Sequence, residues 1–229
     1  MEFILNILSQ QVDGILLCPA NNHTKSVDMI RQSNPPFCVV DRQIPGSDFD
    51  FVAIENYQAA YDATEYLINK GHERIAYCSW GTTIDAVVKR KRGFLAAVEK
   101  HKLSDRIMIW EYARDQESVY REGIDHIVKI IQPTALLIGQ HQVAEGIIRS
   151  MKRFTPSRLK DLSIVVFGDP PWATMTQPEV TCITPPSEEM GKAAMELLIA
   201  RIENPELEPQ RVYLRAELVE RGSVKLNRY

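Results

Sequence analysis

The stretch Phe167-Gly168-Asp169-Pro170-Pro171-Trp172-Ala173 is the part of the sequence that decides the fold. It is followed by Pro178, by Thr181 and by the pair Met190-Gly191. The stretch matches no Gly-rich phosphate loop, no dinucleotide-binding fingerprint and no Gly-x-Ser-x-Gly nucleophile elbow. The enzyme classes that depend on those motifs are therefore disfavoured.

Short apolar runs alternate with helical patterns along most of the chain. The runs predict strands over residues 15–18, 37–40, 51–54, 75–78, 107–110, 135–138 and 163–167. Helical spacing lies between them, in Ala60, Ala63 and Leu67, in Val87, Phe94, Leu95 and Val98, and in Tyr120, Ile124, Ile127 and Ile131. A late helix is predicted over residues 187–202. This alternation predicts an α/β fold in which helices cover a parallel sheet.

Further motifs occur along the alternation in a specific order. They are Asp13-Gly14-Ile15-Leu16-Leu17, Asp41-Arg42, Gly71-His72 with Ile75-Ala76, Arg90 with Gly93-Phe94, Pro133-Thr134-Ala135, and Val219 with Arg221 and Ser223. Each motif is weak alone. Their order and spacing, together with the stretch 167–173, resemble the effector-binding domain of LacI/GalR-type transcription regulators. That domain senses a small molecule and does no chemistry, so the resemblance implies a sensor and not an enzyme.

The resemblance also implies the architecture. Two doubly wound parallel-sheet lobes of the type I periplasmic-binding-protein-like kind would be joined by a three-strand hinge and would close on a ligand. Residues 1–54 and 184–211 would form the first lobe, and residues 55–183 and 212–229 the second. A DNA-binding headpiece and a strand-helix-strand unit precede the matching segment in the family, so the first lobe is expected to be incomplete here. The residues leave open whether the sequence is a fragment or the lobe is naturally short.

Four positions contact the ligand in sugar-sensing relatives, and the resemblance implies which residues of this sequence correspond to them. Asp41 and Arg90 keep the family's residue types, whereas Gln140-His141 replaces an Asn-Asp pair and Gly168-Asp169 replaces two aspartates. An Asp at the carboxyl end of a parallel strand lies where open α/β sheets bind ligands, and an Arg offers a planar fork of donors. The predicted ligand-binding residues are Asp41, Arg90, Gln140, His141, Gly168 and Trp172.

Structural interpretations compete with this assignment. Asp41 could be a turn residue paired with Arg42, and Arg90 could belong to a solvated basic cluster over residues 89–92. Trp172 could stack on a sugar ring or pack against its own loop. The sequence leaves these alternatives open.

The replacements change the charge expected at the site. An acid is lost at Gly168 and a potential cation is gained at His141, which favours a sugar acid or a phosphosugar over a neutral sugar. His141 could equally be a plain helix-start residue. Asp169 is expected to hold its loop by bonding backbone amides. Removal of Arg90 is expected to abolish binding of an anionic ligand with little change in stability.

Composition, charge and cysteine placement narrow the possible binding partners and cellular compartments. A formal net charge of −3 and a pI near 6.0 argue against nucleic-acid binding by this chain itself, because such binding needs a concentrated basic face. The N-terminus lacks the basic region and cleavage site of a signal peptide, and the four cysteines lie singly on apolar runs. Both features favour a cytoplasmic protein with reduced, buried thiols. No metal-ligand spacing occurs, so no metal and no cofactor are expected.

The expected partners are a small sugar, sugar acid or phosphosugar and a second copy of the chain. The homodimer would form through surfaces that include a helix with Phe3, Ile4, Ile7 and Leu8 on its apolar side and the late helix over residues 190–198. DNA would be reached only through the headpiece, and no membrane partner is expected. The alternative is a periplasmic-type sugar-binding protein, which would need the missing signal peptide.

Overall fold

A computed structural model describes residues 9–10, 12–19, 24–33, 35–44, 49–81, 83–112, 120, 122–124, 127, 132–154 and 156–227. The strands are β1 (Ile15–Leu17), β2 (Phe37–Val40), β3 (Asp50–Ile54), β4 (Ile75–Trp80), β5 (Ile107–Tyr112), β6 (Ala135–Ile138), β7 (Ser163–Phe167), β8 (Thr181–Thr184), β9 (Arg211–Leu214) and β10 (Glu217–Val219). The helices described from end to end are α1 (Thr24–Ser33), α2 (Asn56–Asn69), α3 (Asp85–Lys100), α4 (His141–Phe154), α5 (Pro156–Asp161) and α6 (Ser187–Glu203), and a single 3₁₀ turn spans Pro171–Thr174.

The chain divides into two compact units. The first holds the described residues of 1–55, 83–86 and 186–215, and the second holds those of 56–82, 87–185 and 216–229. The predicted lobe boundary after residue 211 falls inside β9, whereas the first unit continues to Arg215. The reason is that β9 pairs with β3 in the sheet of the first unit, with Phe51 opposite Arg211.

The first unit is built on a parallel sheet in the order β1-β2-β3-β9. Strand residues alternate between its two faces, as the period of a β-strand requires. One face carries a core of Val27, Val39, Ile44, Phe49, Phe51 and Ala53. Helix α6 packs on β2 and β3 and buries Met190, Ala194 and Leu198.

A buried ion pair joins α6 to β3 in the first unit. Arg201 on α6 donates from Nε and Nη2 to the two carboxylate oxygens of Asp50, at 3.0 and 3.1 Å. The side chain of Asp50 is 3% exposed, and the backbone N–H of Gln210 donates to it as well. The pair therefore fastens α6 and the residue before β9 to the first residue of β3.

The second unit is built on a six-stranded sheet in the order β10-β8-β7-β6-β4-β5. All neighbours are parallel except β10, which runs antiparallel to β8. One face packs against α4 in a cluster that includes Cys78, Ile138, Ile147 and Met151. The other face packs against α2 and α3 in a cluster that includes Leu67, Tyr77, Phe94 and Leu137.

The C-terminal segment completes the second unit. The hydroxyl of Ser223 accepts a hydrogen bond from the backbone N–H of Thr181 at 2.8 Å and donates to the carbonyl of Ile164 at 2.6 Å. Gly71, with φ of +88°, follows α2 and lies beside this segment. A Cβ there would lie 2.4 Å from the carbonyl oxygen of Asn227, so the close approach requires glycine.

The α/β class and the mainly parallel sheets predicted from the sequence are confirmed, and each predicted strand has a counterpart. Tyr120, Ile124 and Ile127 are buried in the α4-side cluster. Ile131 and the predicted helix with Phe3 and Leu8 lie outside the described residues.

Three of the four cysteines are buried as expected, namely Cys38, Cys78 and Cys182. The expectation is wrong for Cys18, which follows β1 and is exposed. All four thiols are free. No helix in the described part of the chain is long and apolar enough to cross a membrane.

Candidate functional site

The candidate site lies at the carboxyl ends of β4, β6 and β7 in the second unit. Parallel strands direct the loops that follow them to one edge of the sheet, which is where open α/β sheets bind ligands. Arg90, Gln140, His141, Gly168 and Trp172 all belong to this unit. Asp41, the remaining predicted site residue, belongs to the first unit.

Arg90 is fixed at this edge by three contacts. Its Nε donates to Oδ1 of Asn56 at 2.6 Å, and its Nη1 donates to the carbonyl of Gly139 at 2.7 Å. The guanidinium carbon lies 4.4 Å from the ring centre of Phe167, a distance at which a cation is attracted by the ring face. The interpretation of Arg90 as part of a solvated basic cluster is therefore wrong.

The spacing Arg90-x-x-Gly93 explains how the arginine reaches Asn56. Residues three apart share one face of a helix, so Gly93 faces α2 beside Arg90. A Cβ at Gly93 would lie 2.1 Å from the carbonyl oxygen of Tyr57, so only glycine permits this close approach of α3 to α2. The first residue of α2, Asn56, thereby comes within hydrogen-bond distance of the guanidinium.

Gly139 and Gln140 directly follow β6. A Cβ at Gly139 would lie 2.6 Å from the hydroxyl of Tyr77, so the backbone approaches that side chain as only glycine can. The side chain of Gln140 is buried, and its Oε1 accepts a hydrogen bond from the backbone N–H of Trp80 at 3.2 Å. Its Nε2 is buried and has no hydrogen-bond partner among the described residues.

His141 begins α4 and lies against the loop after β7. Gly168 has φ of +90°, and a Cβ there would lie 3.0 Å from Nδ1 of His141. Burial, followed by the charge of Arg90, lowers the pKa of His141 below its usual 6.5, and Glu145 acts in the opposite direction. His141 is therefore uncharged at neutral pH and does not supply the additional cation expected from the sequence.

Asp169 holds its loop in a way that the sequence did not predict. Its two carboxylate oxygens accept hydrogen bonds from Nη1 and Nη2 of Arg221 at 2.8 and 2.6 Å, and one also accepts from the hydroxyl of Thr184. These contacts, chiefly the hydrogen bonds from Arg221, lower the pKa of Asp169. The expected backbone-amide bonding is thus replaced by a bidentate ion pair. This carboxylate is engaged within the protein.

Trp172 lies in the 3₁₀ turn after Pro170. It is half-buried and packs against the cluster that contains Ala173 and Val180. Part of its ring is therefore used in packing, and stacking on a sugar ring remains a prediction.

Asp41 follows β2 with φ of +70°, a left-handed conformation that Asp tolerates better than most residues. Its N–H donates to the carbonyl of Val52 at 2.8 Å, and its carboxylate lies 3.7 Å from Nε of Arg42. The side chain is 37% exposed. This geometry agrees with the alternative in which Asp41 is a turn residue paired with Arg42, and ligand contact by Asp41 stays a prediction.

Sequence reasoning did not find three residues that hold Arg90, namely Asn56, Gly139 and Phe167. Of the three, Gly139 could most easily have been found from the sequence, because a glycine directly after a buried strand suggests a close backbone approach. Phe167 stood in the quoted stretch but carried no signal for a contact with an arginine. Because Arg90 bonds a buried side chain, the expectation that its removal leaves stability unchanged is also revised.

No group of three or more His, Cys, Asp or Glu side chains that could hold a metal ion occurs among the residues that the structure describes. What the edge offers to a ligand is therefore hydrogen-bond donors, a guanidinium charge and aromatic surface.

Comparisons with known proteins agree on one family. Residues 64–224 match the periplasmic binding protein-like domain. The ribose operon repressor of Escherichia coli K12 is 30% identical over 224 residues, which cover 95% of this chain and 66% of the repressor. Catabolite control protein A of Priestia megaterium is 28% identical over 204 residues, which cover 86% of this chain and 60% of that protein. The chain thus spans about two thirds or less of the length of these relatives.

A solved structure matches the whole fold. It is a LacI family transcriptional regulator from Enterococcus faecium with bound ribose, and it superposes with a TM-score of 0.86. The superposition covers 100% of this chain and 85% of that one, at 20% sequence identity. At this identity the likeness establishes the fold alone.

Proposed function

The chain belongs to the family of periplasmic binding protein-like domains that form the effector-binding part of LacI-type transcription regulators, and we propose from that premise that it senses a small sugar or sugar derivative. The observation that carries the proposal is the fixed Arg90 beside the buried Gln140, at the carboxyl ends of parallel strands. A charged fork of donors and an amide at this edge suit the oxygens of a polyol.

Ribose is the first effector to test. One relative is a ribose operon repressor, and one structure with the same fold holds ribose. Sugar acids and phosphosugars of the same size are the second choice, because Arg90 also suits anions. We infer that Asp41, Arg90, Gln140, His141, Gly168 and Trp172 contribute to the site.

A thermal-shift screen with D-ribose, D-ribonate and D-ribose 5-phosphate tests the proposal. A ligand at a hundredfold excess over its Kd stabilises the folded state by about 2.7 kcal/mol if it binds only that state. For a chain of this size the expected rise in Tm is roughly 5–10 °C. Absence of any shift with all three compounds, and of heat in titration calorimetry, would refute sugar sensing.

In the whole regulator, ligand binding by this chain would control DNA binding by a headpiece. Such control needs a ligand that favours one of two states of the protein, and it is reciprocal, so DNA must change ligand affinity by the same factor. Binding of a full-length regulator to its operator, measured with and without D-ribose, tests this step. Equal DNA affinity in both conditions would contradict it for ribose.

Homodimerisation is part of the proposal, and the sequence predicts that the late helix around residues 190–198, which lies in α6, forms part of its surface. Met190 and Leu198 are buried against the sheet, so these side chains do not form an interface. The outer side of α6 instead exposes Met195, Ile199 and Ile202. Light scattering of the wild type and of Ile199→Glu tests a role for that side, and equal masses would remove it.

We further propose a cytoplasmic, non-enzymatic protein without a cofactor. The two relatives are a repressor and a control protein, which supports regulation over catalysis. Free cysteines, three of them buried, suit a reducing compartment better than the periplasm, where the alternative sugar-binding protein would work. Cell fractionation with an antibody to the native protein decides between the compartments.

A further inference from the structure

Arg221, which follows β10, contacts both ends of the loop 168–180 that joins β7 to β8. At the start of this loop, Nη1 and Nη2 of Arg221 donate to the two carboxylate oxygens of Asp169, at 2.8 and 2.6 Å. At its end, Nη1 also donates to the carbonyl of Val180 at 2.8 Å, directly before β8. One guanidinium therefore joins the two ends of the loop.

The 3₁₀ turn that carries Trp172 lies between these two ends and is bonded to one of them. The backbone N–H of Val180 donates to the carbonyl of Ala173 at 2.9 Å, so Val180 contacts the turn through its N–H and Arg221 through its carbonyl. Gly168 directly precedes the other end of the loop. Both predicted ligand residues of this loop, Gly168 and Trp172, thus lie next to positions that Arg221 holds.

The arginine is itself fixed in place. Its backbone N–H donates to Oγ1 of Thr181 at 3.0 Å, and its side chain is 14% exposed. In the next residue, a Cβ on Gly222 would lie 2.9 Å from the Cβ of Pro178, so the C-terminal segment lies directly against the loop. The loop is therefore attached to a segment that is already anchored to the sheet.

All three nitrogens of the guanidinium face groups of this loop. Nη1 and Nη2 bond Asp169 and Val180, and Nε lies 3.9 Å from a carboxylate oxygen of Glu179. A largely buried ion pair is often no more stabilising than apolar packing, so the directional bonds are what distinguishes this arrangement. An effect of Arg221 on a ligand must consequently pass through the loop.

We propose that Arg221 is a positioning residue of the effector site, which fixes both ends of the loop 168–180 and thereby keeps Gly168 and Trp172 in place for the sugar. The proposal rests on the proposed sugar sensing and adds a residue outside the predicted set. Its physical basis is preorganisation, because a loop that is ordered beforehand loses less conformational freedom when a ligand binds.

Fluorine NMR of the ligand-free chain tests the hold on the loop. The chain has three tryptophans, so labelling with 5-fluorotryptophan gives three signals that Trp→Phe variants assign. Arg221→Gln should shift or broaden the signal of Trp172 and leave those of Trp80 and Trp110 unchanged. Arg149→Gln is the matched control, since it removes an exposed ion pair of α4 in the same unit, and it should leave the Trp172 signal unmoved.

Titration calorimetry with D-ribose tests the consequence for binding. Arg221→Gln and Asp169→Asn should each weaken binding about tenfold, because part of the loop must then be ordered when the sugar binds. Arg221→Lys should behave like Arg221→Gln, since one ammonium group cannot replace the planar fork of donors. If Arg221 acts through Asp169, the double variant also loses about tenfold, whereas independent effects would multiply to roughly a hundredfold.

The outcomes separate the two proposals. Equal affinity of the wild type and Arg221→Gln for D-ribose, a hundredfold loss in the double variant, or an unmoved Trp172 signal overturns this inference and leaves sugar sensing intact. If the wild type binds none of D-ribose, D-ribonate and D-ribose 5-phosphate, sugar sensing is refuted, and the Trp172 signal alone decides whether Arg221 holds the loop. Circular dichroism checks each variant, and Arg221→Lys takes the place of Arg221→Gln if the latter does not fold.

Discussion

Arg90 in the second unit and Asp41 in the first are the two candidate residues that keep the family's residue types, and the two units hold them differently. Arg90 has two hydrogen bonds of 2.6 and 2.7 Å and a ring face 4.4 Å away. Asp41 is more than one third exposed and lies 3.7 Å from the neighbouring Arg42 in the chain. One side chain is positioned by distant parts of the sequence, and the other by its own turn.

This difference shows that Arg90 is held in place before a ligand binds, whereas Asp41 is held less firmly. A side chain that folding has already immobilised loses little further freedom when a ligand binds, so its contacts contribute more to affinity. The same contacts make Arg90 part of the folded structure. A substitution there changes both stability and binding, whereas a substitution at Asp41 reports on binding almost alone.

The largest effect is expected for Arg90→Ala. The change removes the guanidinium that donates to Oδ1 of Asn56, a buried residue, and to the carbonyl of Gly139. Each lost partner costs about 1–3 kcal/mol, so the loss of two should lower the free energy of unfolding by about 2–6 kcal/mol. Urea unfolding measures it, with Arg92→Ala on the same helix as the control that stays within about 0.5 kcal/mol. Equal stability of the two variants would remove the distinction between Arg90 and Asp41.

A smaller loss of stability is expected for a substitution at Gly139, whose carbonyl accepts a hydrogen bond from Arg90. In Gly139→Ala the new Cβ would lie 2.6 Å from the hydroxyl of Tyr77, so backbone or ring must shift. The expected cost is about 1–3 kcal/mol by chemical denaturation. Gly191→Ala is the matched control, since Gly191 lies in α6 with nothing within 4 Å of an added Cβ. It should stabilise the protein by about 0.5–1 kcal/mol, and a similar gain at Gly139 would contradict the close packing described.

Acidification should lower the stability of the second unit, which contains Arg90 and His141. The pKa of His141 is lowered by burial and by Arg90, so the unfolded chain takes up a proton near pH 6.5 before the folded chain does. The stability from neutral His141 is present above pH 6.5 and is lost progressively as pH falls through that value toward the folded pKa. His141→Gln should lose less stability than wild type between pH 7.5 and pH 5.5. Identical losses in the two proteins would show that His141 does not titrate differently on folding.

The smallest change in stability is expected for Asp41→Asn. A partly exposed ion pair is worth about 0–1 kcal/mol, and Asn also accepts the left-handed backbone. The free energy of unfolding should change by less than about 0.5 kcal/mol. Calorimetry with the probe that binds the wild type then decides the role of Asp41. Reduced affinity makes it a ligand group, and unchanged affinity makes it a turn residue.

The sequence predicts the central strands well because their signal is local. β6 and β7 are wholly buried on both faces, so they read as unbroken apolar runs. β9 and β10 give no such run. They have four and three residues and are largely exposed or half-exposed, so they become strands only through pairing with β3 and β8.

The site was predictable in position but not in its contacts. Resemblance located Arg90, Gln140 and Gly168, while the bonds that give them their properties join residues far apart in the chain. Arg90 is 34 residues from Asn56 and 49 from Gly139, and Asp169 is 52 from Arg221. No local pattern encodes such pairs, and the charge state of His141 depends on burial that only the folded chain creates.

The contacts that Ser223 and Asn227 make with earlier parts of the second unit determine when this unit can finish folding during translation. Ser223 bonds Ile164 and Thr181, and Asn227 lies against Gly71, so residues made long after the first helix of this unit are needed to complete it. The first unit likewise waits for α6 and β9. Neither unit can therefore finish folding during translation of the N-terminal half. Until both late segments have been made, the early apolar strands lack their partners, and unpaired apolar strands of this kind are prone to aggregation during synthesis.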